Sequence, residues 1–211
     1  MKTNPQLRQA ASAQLKGHYT NFVIVTLVYL LIVCACSSVK YASTGVKVNF
    51  LHNNFLLTVL LAFPAAFAFV MMQLDFVRNG ENPTVEGLFR TFNKQWYLKT
   101  ICLQLLMGIY TFLWTLLLVV PGIIKSISYA MAPYILADNP EIGCDEAICR
   151  SMKMMNGHKM DYFLILLGYV GLTLLSMLLL CIPLLWIMPY YQVVFTNFYL
   201  ELKNDAETVC E

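Results

Sequence analysis

The sequence predicts an all-α, polytopic membrane protein. Six transmembrane helices form three hairpin units, each preceded by a short amphipathic helix at the membrane interface. Three observations carry that prediction. Apolar residues make up 59% of the 211 residues and charged ones only 12%, too little charge to cover a globular surface. Six runs approach or reach the roughly 17 to 25 apolar residues that cross a bilayer core: residues 22–39, 55–77, 100–120, 122–137, 162–182 and 184–202, of which the fourth is short. An Asn-Pro dipeptide recurs at Asn4-Pro5, Asn82-Pro83 and Asn139-Pro140, each time opening an amphipathic segment that leads into an apolar run.

Taken in order, Asn4 is expected to cap the first helix, with Pro5 in its opening turn. Leu7, Ala11 and Leu15 then share one face, opposite Arg8, Ser12 and Lys16. The first span ends near Cys34-Ala35-Cys36, which resembles a lipoprotein cleavage site. The polar, helical lead before it favours an uncleaved span. Residues 40–54 form the one sizeable loop expected outside the cytoplasm, and Pro64 should kink the second span. The second amphipathic segment sets Val85, Leu88, Phe89 and Phe92 at i, i+3, i+4 and i+7, with Glu86, Arg90 and Lys94 along its other face. Pro121-Gly122 marks the tip of the next hairpin. The third amphipathic segment places Ile148, Met152 and Met155 against Arg150 and Lys153. All three segments are expected to lie in the inner headgroup layer.

Spacing strengthens the repeat. Thirteen positions separate Pro5 from His18 and Pro83 from Trp96, and twenty-five separate both Trp96 from Pro121 and His158 from Pro183. One membrane domain, residues 1–211, would then contain units of approximately 4–80, 82–138 and 139–203. Same-oriented units of this kind pack about an axis along the membrane normal.

Orientation follows from the cations. Six spans put Lys2, Arg8, Lys16, Arg78, Arg90, Lys94, Lys99, Arg150, Lys153, Lys159 and Lys203 on one side, and Lys40, Lys47 and Lys125 on the other. Eleven against three places both termini in the cytoplasm of a multi-pass protein of the cell (plasma or inner) membrane. Seven cysteines without CxxC spacing read as free thiols.

No nucleotide loop, Ser-His-Asp pattern, paired catalytic carboxylates or ligand-spaced metal set appears, so no enzyme, cofactor or metal site is expected. No basic tract points to nucleic acid. Asp75, Lys125 and Asp161 are the charges nearest the bilayer interior. Asp75 and Asp161 should find local partners at the inner interface, near Arg78 and His158, and Lys125 should snorkel to the outer headgroups. Tyr129, Tyr134, Tyr190, Tyr191, Tyr199, Gln104 and Gln192 exceed what lipid contact requires, so some must point inward. Gly108, Gly168 and Gly171 would let helices approach closely.

The residues from Val120 to Pro140 (VPGIIKSISYAMAPYILADNP), from Asp145 to Phe163 (DEAICRSMKMMNGHKMDYF) and from Pro189 to Leu202 (PYYQVVFTNFYLEL) resemble a bacterial integral-membrane family, the domain of unknown function numbered 975. The resemblance covers nearly the whole chain and implies a six-helix membrane protein without an established activity. More loosely, the pattern is similar to membrane domains attached to glycerophosphodiester phosphodiesterases, whose catalytic barrel this chain lacks.

The leading expectation is a non-enzymatic accessory or scaffold protein. Its cytoplasmic amphipathic helices would dock a protein partner or anionic lipid through Arg90, Lys94, Arg150 and Lys153. The alternative is a small carrier or permease that uses Lys125, Tyr129 and Gln192. Membrane lipids are partners in either case.

Overall fold

A computed structural model describes residues 3–38, 58–178 and 183–208. The loop at 40–54, with Lys40 and Lys47, lies outside them, as do Cys181 and Cys210. Every regular element among the described residues is helical. Helices α1 (Asn4–Leu15) and α2 (Tyr19–Ser38) are followed by a π-helical turn (Thr58–Ala62) that leads into α3 (Phe63–Asn79). A 3-10 helix (Glu86–Phe92) precedes α4 (Lys94–Leu117), α5 (Val119–Tyr129), α6 (Ala132–Asp138), α7 (Cys144–Met154), α8 (Lys159–Leu178) and α9 (Leu184–Thr208).

Among the described residues, four stretches are long and apolar enough to cross a membrane: Leu60–Asn79, Trp96–Leu117, Val119–Asp138 and Lys159–Met177. A fifth exists if α1 and α2, bent by 96° at their junction, are counted as one broken span. Helix α9 is less apolar because Tyr190, Tyr191, Gln192, Thr196 and Asn197 interrupt it. It is nevertheless the hub. It packs against α1, α2, α3 and α8, and Tyr191, Val193, Val194, Phe198 and Tyr199 on it are buried. Helices α8 and α9 run antiparallel, with Tyr162 against Phe198 and Tyr169 against Tyr191.

The dipeptide Asn-Pro stands at the opening of α1 but not at the openings of the 3-10 helix or α7. Thr3 caps α1, its amide donating to Gln6 Oε1 at 3.0 Å, so Asn4 is already helical. The 3-10 helix begins only at Glu86, and Gly143 caps α7. Asn139 instead closes α6, its side-chain amide donating to the Ile135 carbonyl at 3.2 Å. Proline drives the residue before it out of the helical region, which explains the reversal at Asn139.

The hairpin tip also differs from expectation. The chain breaks at Leu118 (φ −161°, ψ 138°), while Pro121 and Gly122 lie inside the first turn of α5. Tyr110 meets Tyr129 and Trp114 meets Lys125, so α4 and α5 run antiparallel. Gly122 permits their contact: a Cβ there would lie 2.4 Å from Thr115 Oγ1 and 2.8 Å from its Cα. Of the glycines expected at close contacts, Gly108 and Gly171 face open space, and only Gly168 touches a neighbour.

The amphipathic segments fare unequally. Leu7, Ala11 and Leu15 are buried as expected, yet α1 packs along α9 as part of the bundle. Ile148 and Met155 are buried on α7, together with Ala147 and Ser151. In the second segment the expected stripe fails, since Leu88 and Thr91 are buried while Val85 and Phe89 are exposed. A 3-10 helix has three residues per turn, so i and i+3 align and the i+4 and i+7 positions rotate away.

Gly17 and Gly157 share a left-handed φ of 91°, which glycine adopts without a Cβ penalty. Each is followed by a histidine whose amide bonds back to the preceding helix, His18 to Leu15 and His158 to Met155. The joints between α1 and α2 and between α7 and α8 are therefore the same local device.

Candidate functional site

Lys125 and Tyr129 come together. One turn apart on α5, they line a cavity of about 240 Å³ with Tyr110 and Trp114 of α4 and Asp145, Ile148, Cys149 and Met152 of α7. Lys125 Nζ stands 4.9 Å from the centre of the Trp114 ring and 4.0 Å from Met152 Sδ. Cations are drawn to the negative face of such a ring. No ion pair to Lys125 exists among the described residues. The Tyr110 hydroxyl donates to Asp145 Oδ1 at 3.1 Å, which leaves the cavity with a cation at one wall and a carboxylate at another.

Lys125, expected to extend toward headgroups, turns instead to Trp114 and Met152, and α7 packs against α4, α5 and α6. The cause is the break between α5 and α6, which leaves backbone groups without helical partners. Ser151 of α7 satisfies two of them: its hydroxyl donates to the Ser128 carbonyl at 2.7 Å and accepts from the Met131 amide at 3.2 Å. With Ser151, Ala147 and Ile148 fixed in this way, Met152 is held against α5. At the other end of α7 the Cys144 thiol donates to the Lys99 carbonyl, and burial pushes its pKa up to about 11.

Gln192 sits elsewhere, in a polar ladder through the bundle. Gln73 Nε2 donates to Gln192 Oε1, Thr196 Oγ1 lies 3.2 Å from Gln73 Oε1, and Tyr134 reaches Thr196. Tyr134 stacks on Tyr199, whose hydroxyl donates to Asp138 Oδ2 at 2.6 Å. Asp138, its side chain only 3% exposed, also accepts two 2.7 Å bonds from Arg78 and one of 3.0 Å from Lys203. Such bonds between buried polar groups hold helices together. The expectation that some tyrosines point inward is met by Tyr129, Tyr134, Tyr191 and Tyr199, all buried.

Sequence reasoning missed Asp138 and Gln73. Asp138 stands at the end of an apolar run, and its donors Tyr199 and Lys203, one turn apart on α9, lie more than sixty positions away in the chain. The remaining charges pair locally. Asp75 bonds Arg90 at 2.8 Å and not Arg78, because Arg78 is taken by Asp138. Asp161 lies 3.9 Å from His158 as expected, and its carbonyl accepts from Asn4 Nδ2. Arg150 bonds Glu146 at 2.7 Å, and Lys153 is exposed. The backbone of Lys94 opens α4. No group of three or more metal-ligating side chains occurs among the described residues.

Two overlapping stretches, residues 1–128 and 115–206, match the sequence profile of one family, described as a protein of unknown function (DUF975). No curated protein and no solved structure matches the chain. Because the two matches together run from residue 1 to residue 206, the chain belongs to the DUF975 family.

Proposed function

We propose that this is a non-enzymatic accessory or scaffold protein with six spans and both termini in the cytoplasm, which receives a protein partner on the charged faces of the 3-10 helix and α7. The observation that carries the reading is the mounting of α7. Its apolar stripe and Ser151 are locked into α4, α5 and α6, while Glu146, Arg150 and Lys153 remain exposed, so a rigid polar face is presented outward. Arg90 is neutralised by Asp75 and Arg150 by Glu146. Alternating charge suits a protein surface better than an anionic bilayer, which rewards unpaired cations.

Changing Arg90, Lys94, Arg150 and Lys153 together to glutamine should remove a stoichiometric partner from gently solubilised protein, read by native mass spectrometry. Unchanged association would end the docking reading. The carrier reading is favoured by the Lys125 cavity alone, since Gln192 is occupied by Gln73. Uptake by a correctly inserted protein should then fall with Lys125→Met or Tyr129→Phe but not with Gln192→Leu.

A further inference from the structure

Arg8 reads in the sequence as one of the cations on the cytoplasmic face of the first amphipathic segment. The fold turns it inward. Helix α1 packs along α9, and the Arg8 guanidinium carbon lies 5.9 Å from the centre of the Tyr191 ring. A Cβ built on Gly168 would stand 2.6 Å from Arg8 Nη2 and 3.1 Å from the Tyr191 hydroxyl. Gly168 is the tenth of the twenty residues of α8, so the guanidinium sits against the middle of a span. A methyl there would push the guanidinium aside.

No ion pair to Arg8 exists among the described residues, and its Nε is buried without a hydrogen-bond partner. The neighbouring side chains are Tyr191 and Tyr190 of α9, the latter donating to the Arg8 carbonyl at 3.4 Å. The nearest carboxylate on α8, Asp161, is turned toward His158. An arginine against the middle of a span is costly to desolvate. A ring face recovers only part of that. The guanidinium is a planar fork of donors whose natural complement is an oxyanion, and here it has none.

We propose that Arg8, Tyr191 and the gap at Gly168 form a binding site for a phosphate group, carried either by a lipid headgroup or by a free phosphate. The Nη groups of Arg8 and the hydroxyl of Tyr191 donate to the phosphate oxygens. Arg8 is the counter-charge, and Gly168 keeps the opening between α1, α8 and α9. None of the docking residues takes part, so this site stands or falls apart from the scaffold reading.

The test is thermal unfolding of the full chain in a neutral detergent, titrated in parallel with phosphatidylglycerol, phosphatidylcholine and inorganic phosphate. Wild-type protein should be stabilised by phosphatidylglycerol or by phosphate. In Arg8→Met the apparent affinity should fall by roughly tenfold or more, the weight of a charged hydrogen bond. Gly168→Ala should lose the same response with the cation retained. Without ligand, Arg8→Met should unfold at or above the wild-type temperature, because it removes an unpaired cation from the bundle. A response to either phospholipid alone assigns the site to a headgroup, and a response to inorganic phosphate assigns it to a free anion. Equal responses in wild type and both variants, or none in wild type, would overturn the proposal. So would a ligand-free Arg8→Met protein of much lower stability, which would make Arg8 a packing element against Tyr191.

Discussion

Helices α4 and α9 have nearly the same length and opposite fates. Almost all of α4's span is apolar and little of it is covered: 11% of the apolar 18-residue window within Trp96–Leu117 is buried, and Phe112 and Leu116 are 66% and 74% exposed. Helix α9 carries two adjacent tyrosines, a glutamine and an asparagine, and its Tyr191 is 1% exposed. In a water-soluble protein the assignment would be reversed. In lipid, apolar side chains gain nothing by leaving the surface, so association is driven by packing and by polar groups that need partners. The helix richest in such groups becomes the centre. Helix α3 follows the rule, since 61% of the apolar 18-residue window within Leu60–Asn79 is buried and Gln73 on it meets Gln192.

The comparison can be broken most severely at Asp138. Asp138→Ala leaves Arg78 and Lys203 without their shared carboxylate and Tyr199 without an acceptor, and should cost about 3 to 5 kcal/mol. Reversible unfolding in mixed micelles would measure it, and a loss below about 1 kcal/mol would mean that water reaches the cluster freely. Gly122→Ala comes next, at about 1 to 3 kcal/mol, because the added methyl meets the backbone of Thr115. Gly108→Ala on the same hairpin faces open space and should be neutral or slightly stabilising.

Within the ladder, Gln73→Leu should cost about 1 to 2 kcal/mol by leaving the Gln192 amide unpartnered. The double variant with Gln192→Leu should cost less than the sum of the two single changes, which a double-mutant cycle reads directly. Phe112→Leu on the lipid face of α4 should stay within about 0.5 kcal/mol. Equal costs at Gln73 and Phe112 would dissolve the distinction between the inner and outer helices.

Composition and periodicity were enough to establish helices, their approximate positions and apolar runs long enough to cross a membrane, because each depends on runs of residues close in the chain. Leu7, Ala11 and Leu15 were legible as a buried face for the same reason. The second amphipathic segment misled because the tighter 3-10 winding shifts which side chains align, and local composition does not announce the winding. Lys125 and Tyr129 were legible as polar groups in an apolar run, but their meeting with Asp145 and Met152 was not.

What the chain alone determined is therefore local: which stretches are apolar, where helices start and stop, and which faces carry charge. Only the tertiary structure decided partners. Asp138 with Arg78, Tyr199 and Lys203, Gln73 with Gln192, Ser151 with the broken end of α5, and Arg8 with Gly168 and Tyr191 all join residues at least 23 positions apart. In the first three, a polar group left over within its own helix is satisfied by another element, and sequence order does not say which; the Arg8 pairing rests on packing.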